Sequence, residues 1–208
     1  MNNFKKFKEY LLIKKIIIIL RGISVNNFED YIDLLIKYKL NIVEVTLNTP
    51  HAYEIIKSLN TKYPEIYLGA GTVTESEQVK KLSKLGVRFI VSPNCDEKVI
   101  KESLDNNLVP IPGVFTITEV FNAIKYGAKI LKLFPADDRG LSLIKNYKAV
   151  IPNDISFLPT GGINHENINS YLNIAIGVGL GGSLYKENIK IQDFENNLKK
   201  FAQLLHEI

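Results

Sequence analysis

Eight short runs rich in Ile, Val, Leu and aromatic residues recur along the chain, and each is followed by a stretch with the apolar spacing of an amphipathic helix. This alternation constrains the fold because parallel strands cannot be joined by tight turns and need helical crossovers. The strands read as Ile16–Arg21, Ile42–Leu47, Tyr67–Thr72, Phe89–Ser92, Leu108–Ile111, Ile130–Phe134, Ile155–Pro159 and Ala175–Gly179. Helices are expected over Phe28–Tyr38, His51–Leu59, Glu75–Leu85, Glu97–Asn106, Ile117–Tyr126, Ser142–Ala149, His165–Leu172 and Asp193–Glu207, and a lysine-rich amphipathic stretch, Asn3–Lys14, precedes them all. Asn27, Thr74, Asp96 and Asn164 stand where N-caps belong, and Gly86 and Gly127 where helices should stop. Eight such units in 208 residues predict an α/β fold, a single (β/α)8 TIM barrel with an extra N-terminal helix, residues 1–208 forming one domain. The alternative, a doubly wound open sheet, predicts fewer strands and a G-x-G-x-x-G turn after the first. "LRGIS" has one glycine and disfavours it.

Several function classes drop out. No apolar run approaches the roughly 20 residues that span a bilayer. Ile16–Leu20 is too short for a signal peptide and lacks a small-residue cleavage site, so a cytoplasmic protein without membrane association is expected. One cysteine, Cys95, provides no internal disulfide framework. His51, His165 and His206 are too dispersed for a metal-ligand pattern, and the expectation is no metal and no cofactor. The net charge is +4, with lysines scattered among acidic residues, which argues against nucleic-acid binding and leaves anionic small molecules as partners.

The informative anomaly is "ILKLFPA", residues 130–136, where a lysine interrupts an apolar run. An unpaired buried ammonium is costly, so Lys132 either reaches solvent or serves as a neutral amine. Side chains alternate across a strand. In "IVEVTLN", Val43, Val45 and Leu47 share one face while Ile42, Glu44 and Thr46 share the other. In the sixth strand, Leu131 and Leu133 oppose Ile130, Lys132 and Phe134. Turning the aliphatic sets toward the helices puts Glu44 and Lys132 together inside the barrel, as a reactive acid and amine or as a structural ion pair.

Polar residues also gather at strand C-terminal ends, where barrel enzymes carry their sites: Arg21, Thr72, Pro93 with Asn94, and Thr160. An arginine there suits a carboxylate. After the seventh and eighth strands come "TGGI" (160–163) and "GLGGS" (179–183), whose backbone N–H groups suit a phosphate.

Taken in order, "LRGI", "VEVTLNTP", "GAGTV", "IVSPN", "IPG", "LKLFPA", "PTGGI" and "GLGGS" resemble the KDPG/KHG family of class I aldolases, from about Ile16 to Tyr185. That family includes 2-dehydro-3-deoxy-6-phosphogluconate aldolase, 4-hydroxy-2-oxoglutarate aldolase and a 6-phosphogalactonate relative. The resemblance implies that Lys132 forms the Schiff base and that Glu44 moves protons. It implies that Arg21 and Thr72 hold the pyruvate carboxylate, that Pro93 and Phe134 line the pyruvyl pocket, and that Thr160 lies beside the substrate hydroxyls. Gly161, Gly162, Gly181, Gly182 and Ser183 would receive the phosphate.

Some members carry an arginine where this chain has Asn48, which leaves the carboxylate to Arg21. "LNTP" and "LRGI" are closer to the phosphogalactonate branch, whereas "PTGG" is closer to the phosphogluconate branch. The hydroxyl of Thr160 favours phosphogluconate-type substrates. The resemblance also implies a homotrimer and a place in Entner–Doudoroff carbohydrate metabolism. The remaining readings are a phosphosugar isomerase or epimerase, and a non-catalytic phosphometabolite-binding barrel.

Overall fold

The computed structural model describes residues 3–206. Helix α1 (Asn3–Lys14) leads into strand β1 (Ile16–Leu20), then α2 (Phe28–Lys37), β2 (Ile42–Thr46), α3 (Ala52–Lys62), β3 (Tyr67–Gly71) and α4 (Ser76–Ser83). There follow β4 (Phe89–Val91), α5 (Glu97–Asp105), β5 (Val109–Ile111), β6 (Gly113–Val114), α6 (Ile117–Lys125) and β7 (Ile130–Leu133). The chain continues through α7 (Gly140–Lys148), β8 (Ser156–Phe157), α8 (Ile168–Leu172), β9 (Val178–Leu180) and α9 (Ile191–His206). The end of the last expected helix, Glu207, lies outside the described residues.

Every strand pair is parallel. One sheet runs β5-β4-β3-β2-β1-β9 and the other β6-β7-β8. Two seams bring them together. Pro112, between β5 and β6, accepts a hydrogen bond from the Lys132 N–H at 2.8 Å. On the other side Thr160 bridges Gly179, whose N–H donates to the Pro159 carbonyl at 2.9 Å. The result is a curled parallel sheet wrapped by helices, a TIM-barrel-like α/β fold.

Several boundaries differ from those the sequence suggests, for identifiable reasons. The fifth strand breaks into β5 and β6 because Pro110 and Pro112 have no N–H to donate to a ladder. Pro159 shortens β8 in the same way. The last strand starts at Val178 rather than Ala175, where Gly177 backs onto the Lys15 carbonyl. The N-cap of α4 is Glu75, in a capping box with Gln78, rather than Thr74, and Asn27 makes no side-chain cap bond. Asp96 caps α5 as expected, accepting from the Val99 N–H, and α6 starts on a Thr116–Glu119 capping box.

Two apolar layers result. Val43, Val45, Leu131 and Leu133 pack outward against the helices. Ile17, Ile42, Phe89, Val91, Val109, Ile111 and Ile130 fill the lumen, joined by Phe7 and Leu11 of α1. Phe7 stacks on Phe89 at 5.0 Å between ring centroids, so α1 closes the end of the barrel where the strands begin. Burying a side chain of that size contributes roughly 1.5–3 kcal/mol. With α1 packed at that end, the cavity that reaches Lys132 opens where the strands finish.

Candidate active site

Glu44 is the third residue of β2, in register with Ile19 on one side and Gly69 on the other. Lys132 is the third residue of β7, opposite Gly113. Each follows an inward apolar neighbour, Ile42 or Ile130, by two residues, so strand parity aims both into the lumen. They are 1% and 5% exposed.

The Glu44 carboxyl is pushed up first by burial, against the lowering fields of Lys132 and then Arg21. The Lys132 amine is pulled down first by burial; Glu44 opposes that shift, and Arg21 adds to it. The two groups therefore feel one another without forming a salt bridge among the described residues. Both shifts favour the uncharged forms, a protonated acid and a free amine. Glu44 Oε2 is buried and has no hydrogen-bond partner, a costly arrangement unless something else binds there. Space for the acid comes from Gly71: a Cβ on that residue would stand 1.8 Å from Glu44 Oε1.

Above the pair opens a cavity of about 650 Å³, lined by Arg21, Lys132, Phe134, Thr160, Gly161, Gly162, Gly181, Gly182 and Ser183, among others. The Phe134 ring forms one wall, its centroid 4.8 Å from Lys132 Nζ. Thr160 is buried, and its hydroxyl donates a long bond of 3.3 Å to the Leu158 carbonyl, which leaves its lone pairs free for a ligand hydroxyl. Gly161 and Gly162 take φ values of +84° and +79°, turning the backbone into a concave loop that other residues would strain to form. Arg21 stands exposed at the mouth with no acidic partner among the described residues.

A short relay fixes the backbone beside Arg21. The Gly22 N–H donates to Thr49 Oγ1 at 2.9 Å, and Thr49 Oγ1 meets Thr46 Oγ1 at 3.1 Å in the interior. Thr46 ends the strand that carries Glu44, so the relay couples the mouth arginine to the acid's own strand.

Three residues expected at the site do not line this cavity: Glu44, Thr72 and Pro93. Glu44 lies beneath it, reached through its field on Lys132. Thr72 is half-buried at φ +57°, a strained conformation for a β-branched residue. Pro93 is exposed, its carbonyl packed toward Gly113. Asn48 is exposed and also off the cavity. His51 is an exposed residue at the N-cap of α3, and burial pushes the Cys95 thiol up to about 11, away from reactive thiolate character. No cluster of three His, Cys, Asp or Glu side chains suited to a metal occurs among the described residues. Sequence reasoning missed Ile19, Asn164, Tyr185, Lys186 and Glu187, which also line the cavity. Lys186 stands three residues beyond "GLGGS", but nothing in the sequence says where its side chain points.

The chain matches the family model for KDPG and KHG aldolase over residues 7–204. It belongs to that family. Membership makes it an aldolase, a carbon–carbon lyase. It is 37% identical over 182 residues to a probable 2-dehydro-3-deoxy-6-phosphogalactonate aldolase of Rhizobium meliloti, covering 86% of each chain. It is 33% identical to a 2-dehydro-3-deoxy-phosphogluconate aldolase of Pseudomonas aeruginosa, covering 69% of this chain and 66% of that one. The fold superposes with a TM-score of 0.83, at 26% identity and 97% coverage of both chains, on a KDPG aldolase from Legionella pneumophila with pyruvate captured as a covalent carbinolamine intermediate.

Proposed function

We propose that this aldolase works through a Schiff base on Lys132 and cleaves 2-dehydro-3-deoxy-6-phosphogluconate to pyruvate and D-glyceraldehyde 3-phosphate. The observation that carries this reading is the buried, mutually perturbed pair of Lys132 and Glu44 beneath a cavity with an unpaired arginine at its mouth. Arg21, at the cavity mouth, holds the substrate carboxylate. The neutral Lys132 Nζ attacks the C2 ketone, giving a carbinolamine, the type of adduct captured in the Legionella relative. Loss of water leaves an iminium, whose cationic nitrogen draws the electron pair of the C3–C4 bond as that bond breaks. Glu44 delivers the proton for dehydration, takes the one from the C4 hydroxyl, and returns it to C3 of the enamine; hydrolysis then frees pyruvate. An acid held up by burial is suited to exchanging protons in both directions. Phe134 packs against the pyruvyl methyl, and the electron sink is made from protein and substrate alone.

Thr160 faces the substrate hydroxyls, and the glycine loops with Ser183 take the phosphate. A second substrate, 2-dehydro-3-deoxy-6-phosphogalactonate, is favoured by the 37% identity to the Rhizobium relative. Unphosphorylated 4-hydroxy-2-oxoglutarate, which yields pyruvate and glyoxylate, is a further candidate. We also read the strands as a (β/α)8 barrel, with β5 and β6 counted as one interrupted strand, preceded by α1 and formed by residues 1–208 as one cytoplasmic domain that assembles as a homotrimer. The test is a comparison of the three acids in a coupled assay for pyruvate release. Phosphogluconate-type cleavage should be fastest, and Thr160→Val should reduce it more than the phosphogalactonate reaction. Equal losses would remove Thr160 as the discriminating group.

A further inference from the structure

The glycine cradle offers N–H groups but no charge, whereas a phosphate monoester brings roughly −1.5 to −2 at neutral pH. Lys186 is the cation placed to answer it. It lines the main cavity together with a second one, of about 470 Å³, that shares Asn164, Gly182, Ser183 and Lys186 with the first. Its Cε lies 4.0 Å from the point a Cβ on Gly182 would occupy, so its stem runs beside one glycine of the cradle. Lys186 is exposed and forms no salt bridge among the described residues. Its ammonium is free to swing over a ligand. Beside it the Ser183 hydroxyl is buried without a partner. Arg21 and Lys132 share the main cavity but stand at its mouth and in the lumen, where they are assigned to the carboxylate and the ketone. Glu187 leans across the mouth toward Gly22, and His165, Asp193 and Lys200 line only the second cavity.

We propose that Lys186 caps the terminal phosphate over Gly161–Gly162 and Gly181–Gly182, and thereby selects phosphorylated over unphosphorylated keto-deoxy acids. The selection among substrates rests on the aldolase reading above; the capture of phosphate does not. Lys186→Met keeps the apolar stem and removes the charge. The ratio of kcat/KM for the phosphorylated acid to that for 4-hydroxy-2-oxoglutarate should fall roughly 10- to 100-fold, the weight of one charge-assisted hydrogen bond. Lys186→Arg should recover most of it, and Lys200→Met should leave the ratio in place.

Inorganic phosphate, titrated calorimetrically, should bind the wild type and bind Lys186→Met more weakly by a similar factor. A loss shared equally by both substrates, an equal fall in Lys200→Met, or phosphate binding that is absent or indifferent to position 186 would overturn the assignment. If none of the three acids is cleaved, the aldolase reading fails, and the phosphate titration still decides the role of Lys186.

Discussion

Gly71→Ala is the smallest change expected to disable the chemistry while leaving Lys132 untouched. The added Cβ would lie 1.8 Å from Glu44 Oε1, 2.5 Å from Cδ and 2.7 Å from Cγ. Ordinary contact begins at 3.4 Å, so the carboxyl must retreat by about 1.6 Å. The backbone cannot yield instead, because β2 and β3 are paired along five residues, Thr46 opposite Gly71 among them. Overpacking of this kind costs about 1–3 kcal/mol, and each kcal/mol lowers Tm by roughly 2–4 °C for a chain of this size.

The catalytic loss should be larger. Displacing a reacting group by about 1 Å costs on the order of 100-fold, and the whole of a general acid–base contribution is about 10²–10⁴-fold. The assay pairs steady-state pyruvate release with exchange of the pyruvate C3 protons in deuterated water. Both should fall at least about 100-fold, while pyruvate remains trappable on the enzyme by borohydride. Gly69→Ala is the control. It lies one pleat deeper, where its Cβ would meet the Phe89 ring at 2.3 Å, so it should cost stability and spare proton exchange. Wild-type turnover in a folded Gly71→Ala enzyme would mean that Glu44 does not move the protons.

Glu44→Gln should retain part of the imine formation and lose most turnover, by about 10²–10⁴-fold, and wild-type rates would refute the acid–base role. Thr49→Val removes the acceptor of the Gly22 N–H and should raise the pyruvate concentration needed for half-maximal trapping; Thr49→Ser should rescue it, and no change in that concentration would break the link to Arg21. Lys132→Met should raise Tm while abolishing activity, the trade expected where a buried amine serves chemistry. The pH dependence of that gain follows from the sign of the shift. The folded-state lysine has a lowered pKa, so the unfolded chain binds more protons between that value and 10.5, and wild-type stability rises with pH through that window. The advantage of Lys132→Met should therefore be largest near neutrality and shrink toward pH 10.5; an advantage that grows with pH would contradict the lowered pKa.

The barrel was readable because strand and helix periods alternate and because β2 and β7 each bear one charge on an otherwise uncharged face. Parity alone aimed Glu44 and Lys132 inward, and burial of both follows from it. Strand ends were less legible where prolines remove ladder donors, as at Pro110, Pro112 and Pro159. The roles of Gly71, Thr49 and Lys186 were hidden for different physical reasons. A glycine that makes room acts through what it lacks. Thr49 acts on a backbone N–H supplied by another loop. A lysine on an irregular loop has no periodicity to say where it points. Thr72 and Pro93 sit at the expected strand ends, yet loop geometry keeps them off the cavity wall.

Reduction with borohydride in the presence of pyruvate, followed by peptide mass mapping, bears most directly on the buried amine. A single pyruvate-derived increment on the peptide carrying residues 130–136, absent from Lys132→Ala, is the expected result. An increment on any other lysine, or none on a folded enzyme that still releases pyruvate, would contradict the Schiff-base account.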